Sequence, residues 1–478
     1  NVYLPLIGYK HVNGPDGATI VPYLAKALPT ISSDGMTYTF TLKDGLKYSD
    51  GTPIKASDFP ATIERDFKVD SPGVGFFGNI AGADTFAKTK TGHISGITAD
   101  DKTGVITIKL NAPQGDFENI LATEFAALVP ASTPAKDQSV TPIPSSGPYM
   151  IQSYAPNKKA ILVRNPNFDE ATFGGNVPAG NPDMMTVDII GDDTVALQRV
   201  IAGTDDYDFH QIPPDRLAST QQKYGDQIKV YTPANTYYFF MNNRVAPFNN
   251  LKVRQAVNYA INREALVRIY GGLAQPTENV LPPTYPQYKK LNMYPYDLAK
   301  AKQLIQESGQ AGATVTVWNH DRGTDPKATA YLTDVLNSIG LKAKEKVINS
   351  AVYWTTVGNQ ATKAQIGFAD WFQDYPHPLD WFDVLLNGDR ITETHNNNYA
   401  NFDDKAVNAK IEALKKEPTL TDSVNSQWAE VDKMVDQQAP WAPFMNRQFT
   451  DFFNADMDLS CYVNHVLYQF DYASICKK

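Results

Sequence analysis

The chain has 478 residues, too many for one ordinary hydrophobic core, so two or three lobes are expected. Its 42% hydrophobic and 20% charged content is that of a soluble globular protein, and a net charge of −9 argues against a nucleic-acid groove or an anionic membrane surface as partner. No apolar run approaches the roughly 18–20 residues that cross a bilayer. The opening Asn1-Val2-Tyr3 also lacks the basic and apolar stretches of a secretion signal, which points to a cytosolic protein or a processed form.

Tyr38 to Leu42 alternates as a strand does, and Asp44-Gly45 and Asp50-Gly51 are turn dipeptides, so a small β-meander is predicted. Ser57 is placed to cap a helix with Phe59, Ile63 and Phe67 on one face. Residues 69–96, rich in glycine, read as an irregular excursion. Asp100 to Gly104 turns into a strand from Val105 to Leu110, and Phe117 to Leu128 reads as one apolar helix stopped by Pro130. Strands are expected over Tyr149–Tyr154, Lys159–Arg164, Thr186–Ile190 and Asp206–Phe209, with a helix over Thr194–Ala202. This helix-between-strands rhythm is an α/β signature.

Asn235 to Asn242 is a strand with aromatics on both faces, followed by a helix burying Val253, Ala256, Val257, Ala260 and Ile261. Asn262 and Asp297 are helix caps. Thr314–Trp318, Leu341–Val347 and Ile366–Ala369 read as strands, with a helix over Lys327–Ile339. Residues 243 to about 445 therefore form a self-contained α/β lobe, and the last thirty residues return to strand-like patterns that would pair with an earlier lobe.

The most pointed stretch follows Ile366–Ala369. Trp371, Phe372, Tyr375, Trp381 and Phe382 interleave with Asp370, Asp374, Asp380 and Asp383, and Pro376 and Pro378 stop regular structure. A strand ending in aromatics and carboxylates before a sharp turn places polar groups at the rim of a cleft, or else caps a core with its acids in water. Cys461 and Cys476 are the only cysteines, and no neighbouring histidine completes a zinc set. They suggest one local disulfide and an oxidising compartment, the other reading being two buried thiols. There is no Gly-x-x-x-x-Gly-Lys-Ser/Thr loop, no Gly-x-Ser-x-Gly elbow and no His-Glu-x-x-His. Seven scattered histidines offer no pair at metal-ligand spacing.

Four stretches in register carry a resemblance. They are Tyr38 to Pro53 with Ala56-Ser57-Asp58-Phe59; Ser146-Gly147-Pro148-Tyr149; Phe240 to Asn243 with Pro247-Phe248, Val253 to Ala256 and Ala260 to Arg263; and Trp371 to Pro378. Together they resemble the extracytoplasmic solute-binding proteins of ABC importers, family 5, which serves oligopeptides, dipeptides, nickel and some sugars. The resemblance implies an α/β, two-lobed periplasmic-binding-protein fold of type II in three parts. Domain Ia would be 1–19, 146–237 and 446–478, domain Ib an insertion over 20–145, and domain II the lobe 238–445. Two crossing segments, near Tyr237–Phe239 and Phe444–Phe449, would let the lobes close on a solute. Relatives carry more residues before the stretch matching Val2 to Tyr9, which implies that the sequence starts late.

In peptide-binding members the ligand lies as an added strand, with its amino terminus on the aspartate of the Trp-x-x-Asp-Tyr position, here Asp374. The resemblance thus implies a ligand site with Asp374, Gln373 and the strand Asp370, Trp371, Phe372, faced by the segment Leu4 to Leu6. Trp371 and Tyr238 are expected as walls, Tyr237, Trp354, Phe77 and Phe444 as further contacts, and Arg322 (or Arg390) as partner of the ligand carboxylate. No cofactor, metal or catalytic group is expected. The expected partners are a peptide-like solute and a membrane permease with its ATPase. The protein would be monomeric and would work in the periplasm or lipid-anchored at the outer face of the cell membrane. Within the same fold the alternative is an oligosaccharide stacked on Trp and Tyr. A metal-chelate binder using His377, or a hydrolase using Asp374 and Asp380 as acid and base, are the readings from other chemistry.

Overall fold

The computed structural model describes residues 2–467 and 469–478, which fall into two compact units. Unit 1 comprises Asn1–His210 and Asp451–Lys478, and unit 2 comprises Gln211–Thr450, so the chain passes from one to the other at 210/211 and 450/451. The expected boundaries were 237/238 and 445/446. The difference arises because residues 211–237 pack with the second unit.

In unit 1, Thr30–Ile31, Thr37–Thr41, Val105–Lys109 and Ile97–Asp100 form a four-stranded antiparallel sheet in that spatial order. Beside it the helix Asp58–Lys68 buries Phe59, Ile63 and Phe67. Ser57 does not cap this helix: its hydroxyl and main-chain N–H both donate to Asp101, at 2.9 and 2.8 Å. The excursion over 69–96 contains a helix, Ala83–Thr89. The apolar stretch after Phe117 yields only the helix Phe117–Leu121 and a 3-10 turn, Glu124–Ala126, because Thr123 Oγ1 turns back onto the Ile120 carbonyl at 2.7 Å. A second sheet joins Tyr149–Ala155, Lys159–Arg164 and Met184–Asp188. The C-terminal stretch rejoins unit 1, with Phe452 and Phe453 opposite Asp208 and Tyr207. Cys461 and Cys476 are joined as a disulfide.

Unit 2 is a mixed sheet between two helical layers. In chain order its main elements are β1 (Asn235–Met241), α1 (Leu251–Ala260), α2 (Arg263–Ile269), β2 (Ala274–Pro276), β3 (Thr314–His320), α3 (Asp325–Ser338), β4 (Lys342–Ile348), β5 (Ile366–Phe372), α4 (Leu379–Leu386), α5 (Asp422–Gln438) and β6 (Trp441–Arg447). The spatial order is β2-β6-β1-β5-β3-β4. β1 is antiparallel to both β5 and β6, while β3 is parallel to β4 and β5. Every residue of β1 is buried, as a central strand with both faces covered requires. On one face Tyr237, Phe239 and Met241 meet α1, α2 and α3; on the other Tyr238 and Phe240 meet α4 and α5. Asn262 and Asp297 cap their helices as expected.

Candidate functional site

β5 changes character along its length. It pairs with β1 throughout, from Ile366 opposite Met241 to Phe372 opposite Asn235, but with β3 only at Ile366 and Gly367. The Phe368 carbonyl accepts the Tyr353 hydroxyl at 2.8 Å. Among the described residues no strand covers the β3-facing edge of 369–372. Past that edge the chain turns, and α4 fixes the turn: the buried Asp380, in its first turn, accepts from the Trp371 indole at 3.3 Å and the Asp374 main-chain N–H at 2.9 Å. Trp371, Phe372 and Gln373 are half-buried and Asp374 is exposed. Asp380 therefore braces the loop, which leaves an acid–base pair of Asp374 and Asp380 without its second member. His377 is buried too, its Nδ1 accepting the Leu379 N–H at 3.2 Å, so it supports the loop rather than offering a metal ligand.

Beside the end of β5 the structure assembles charges that sequence reasoning only partly foresaw. Asp370 lies opposite Tyr237 in register, on the face shared with Phe368 and Phe372. Burial, with the Asp325 charge beside it, pushes its carboxyl up to about 7 against the pull of Arg447 and Arg322. Asp325, at the start of α3, accepts the Tyr270 hydroxyl at 2.5 Å, and burial holds it at about 6. His320 closes β3: its Nδ1 accepts the Arg322 N–H at 3.2 Å and its Nε2 faces Asp325 at 3.4 Å. Burial and the Arg322 charge shift the titration of this imidazole downward, away from its charged form. Arg322 is exposed in the loop between β3 and α3, whereas Arg390 is committed to Asp383 at 3.0 Å. Rings of Tyr237, Tyr270, Phe368, Phe372 and Phe444 pack edge to face under this cluster.

Several expected contacts lie elsewhere. Alternation along β1 sends Tyr238 to the opposite face, where it is fully buried and stacks on Trp441 with ring centroids 3.6 Å apart, so it is core and not a wall. Phe444 and Phe77 are fully buried in their own units. The segment Leu4 to Leu6 does not offer a free edge: the carbonyls of Leu4, Pro5 and Leu6 accept from Leu128, Leu24, Tyr23 and Ala25, and the Leu4 N–H donates to Ser146. Trp354 is 37% exposed and stacks on Tyr399 near His320. Asp325, Tyr270 and Arg447 were missed. Asp325 before Pro326 reads as an ordinary helix start, and the one signal for Arg447 was a charge ending an otherwise apolar strand. Among the described residues the single group spaced to hold a metal is Asp458, Cys461 and Cys476, whose sulfurs are bonded to each other. No helix among them is long and apolar enough to cross a membrane.

At the end of β5 a mixed α/β fold thus brings aromatics, acids and an exposed arginine beside an open strand edge, an arrangement suited to holding a small solute. The family model for bacterial extracellular solute-binding proteins, family 5, matches residues 19–393, and the chain belongs to that family, the solute-binding proteins of ABC importers. It is 26% identical over 429 residues to the glutathione-binding protein GsiB of Salmonella paratyphi A, spanning 87% of this chain and 78% of that protein. Among solved structures, the clavulanic acid biosynthesis oligopeptide binding protein 2 superposes with a TM-score of 0.89 at 25% identity, covering 100% of this chain and 90% of that one. The periplasmic binding protein DppA of Helicobacter pylori, in complex with the peptide STSA, gives 0.80 at 22% identity, covering 98% and 92%.

Proposed function

We propose that this protein captures a short peptide, or a similar ligand with a primary amine, along the open edge of β5 and passes it unaltered to the permease and ATPase of an importer. Asp374 receives the ligand ammonium and Arg322 its carboxylate, while Trp371 and Phe372 supply apolar wall. The observation that carries this reading is the uncovered edge of 369–372 leading directly to the exposed Asp374 on a braced loop. An extended peptide completes such an edge with main-chain bonds, which hold it without reading its side chains. The glutathione- and peptide-binding relatives support the same ligand class. The protein acts as a monomer on the extracytoplasmic side, in the periplasm or tethered to the outer face of the cell membrane, and makes or breaks no bond in its ligand.

Titration calorimetry with a peptide series tests it. Asp374→Asn should weaken peptide binding by about 10- to 100-fold, the worth of one charge-assisted hydrogen bond of roughly 1.5–3 kcal/mol. Peptide affinity that survives the substitution rules out the amine clamp. Binding of oligosaccharides in place of peptides would transfer the site to the uncharged-solute alternative.

A further inference from the structure

Arg447 ends β6 with a half-buried guanidinium that no carboxylate satisfies. Its planar group lies over the Tyr270 ring at 5.4 Å and the Phe449 ring at 5.2 Å. Among the described residues no acid comes within 4.0 Å of it, and its side-chain N–H groups have no protein acceptor within hydrogen-bond reach. Other buried arginines of unit 2 are spent: Arg254 and Arg263 donate to main-chain carbonyls. A guanidinium has five donors, and leaving them unmet in a half-buried place is costly unless something arrives to take them.

We infer that Arg447 is a second carboxylate receptor, so that the ligand class is a peptide carrying an acidic group beyond its terminal carboxylate. The inference rests on the peptide reading above and deepens it. The rings lie against the face of the guanidinium, and the edge of such a group matches a planar carboxylate with two parallel hydrogen bonds. The surroundings favour an anion. Burial shifts the titrations of Tyr237 on β1 and Tyr270 after α2 upward and that of His320 on β3 downward, each away from its charged form. Asp325 on α3 and Asp370 on β5 are pushed towards their protonated forms, and Arg322 adds a second positive charge.

The reading has a pH signature. A carboxylate at Arg447 is repelled by ionised Asp370 and Asp325, and lowering the pH from 8 to 6 discharges both in part. Affinity for the acidic ligand should therefore rise on acidification, while an amide analogue should not follow it.

The test uses the whole protein and a defined mixture of di-, tri- and tetrapeptides made in pairs, each glutamyl peptide with its glutaminyl twin, read by native mass spectrometry and then calorimetry. The expected result is at least a tenfold preference for the acidic twin, growing between pH 8 and pH 6. The preference should fall to near unity in Arg447→Gln and be partly kept in Arg447→Lys. A purely structural role for Arg447 would move both twins together. Equal binding of the twins by the wild type, or a preference undiminished in Arg447→Gln, overturns this inference and leaves the peptide reading standing. Failure to bind any peptide overturns both. If Arg447→Gln does not fold, the wild-type preference with its pH slope and the Arg447→Lys variant decide the matter.

Discussion

Unit 2 holds two groups of buried acids and arginines that look alike in composition and differ in bonding. At the base, Arg263 donates to the carbonyls of Thr277 and Pro443 at 2.9 Å each and to Asn258 Oδ1 at 3.0 Å, with Glu278 3.7 Å away. Asp432, nearby on α5, accepts from Asn279 and from the main chain of Val280 and Leu281. At the strand end, Arg447 has two rings beside it, and among the described residues no hydrogen-bond or ion-pair partner reaches its guanidinium or the Asp370 carboxylate. Buried charge of the first kind is structural glue whose removal strands its partners. Charge of the second kind has been paid for without a partner inside the protein. The difference teaches that the accounting of donors and acceptors, and not burial or a shifted titration, separates support from a binding surface.

The comparison breaks most sharply at Arg263. Arg263→Leu should cost about 3–5 kcal/mol, because several carbonyls and Glu278 lose their partner in the interior. Urea denaturation followed by tryptophan fluorescence measures it, and a loss under 1 kcal/mol would place Arg263 with Arg447 and not opposite it.

A smaller effect belongs to Asp436, also on α5. Burial and the charges of Asp432 and Glu278 raise it to about 8, and its Oδ2 has no hydrogen-bond partner. A carboxyl raised above its unfolded value stabilises fully below that value and loses the contribution as pH rises through the folded one. Stability should therefore decline between about pH 4 and pH 8, with Asp432, raised to about 6, adding to the lower part of that window. Asp436→Asn should flatten the decline, gaining on the order of 1–3 kcal/mol over the wild type at pH 8 relative to pH 5. Thermal melts at the two pH values give the answer, and parallel curves would contradict it.

The smallest effect is expected at the strand end. Tyr270→Phe removes the hydroxyl that Asp325 accepts, at a cost of about 0.5–1.5 kcal/mol. It should also raise the Asp325 titration further, since that bond favours the ionised form. Carbon-13 NMR of the carboxyl group follows the shift; a downward movement would show the bond has the opposite sense.

Much of unit 2 is legible in the sequence because its strands and helices keep their periods, and Asn262 and Asp297 sit where caps belong. Ala83–Thr89 escapes because its apolar residues are few and its start at Gly82, with φ of 81°, carries no capping side chain. The candidate site was half visible. Asp374 and its aromatic neighbours stand in one local pattern. Tyr237 and Tyr238 were both expected at the site, yet neighbours on a strand point to opposite faces, and which face of β1 meets which layer is not written in the alternation. Arg447 was out of reach, since its meaning lies in the distance to acids on β5 and α3, far away in the chain.

The brace at Asp380 has one more consequence. Holding the indole of Trp371 and the backbone of Asp374 to the first turn of α4 makes this loop a preset mould and not a tether that must be gathered up at each encounter. On the peptide reading little freedom of the loop remains to be surrendered on capture, so tightness should come from fit.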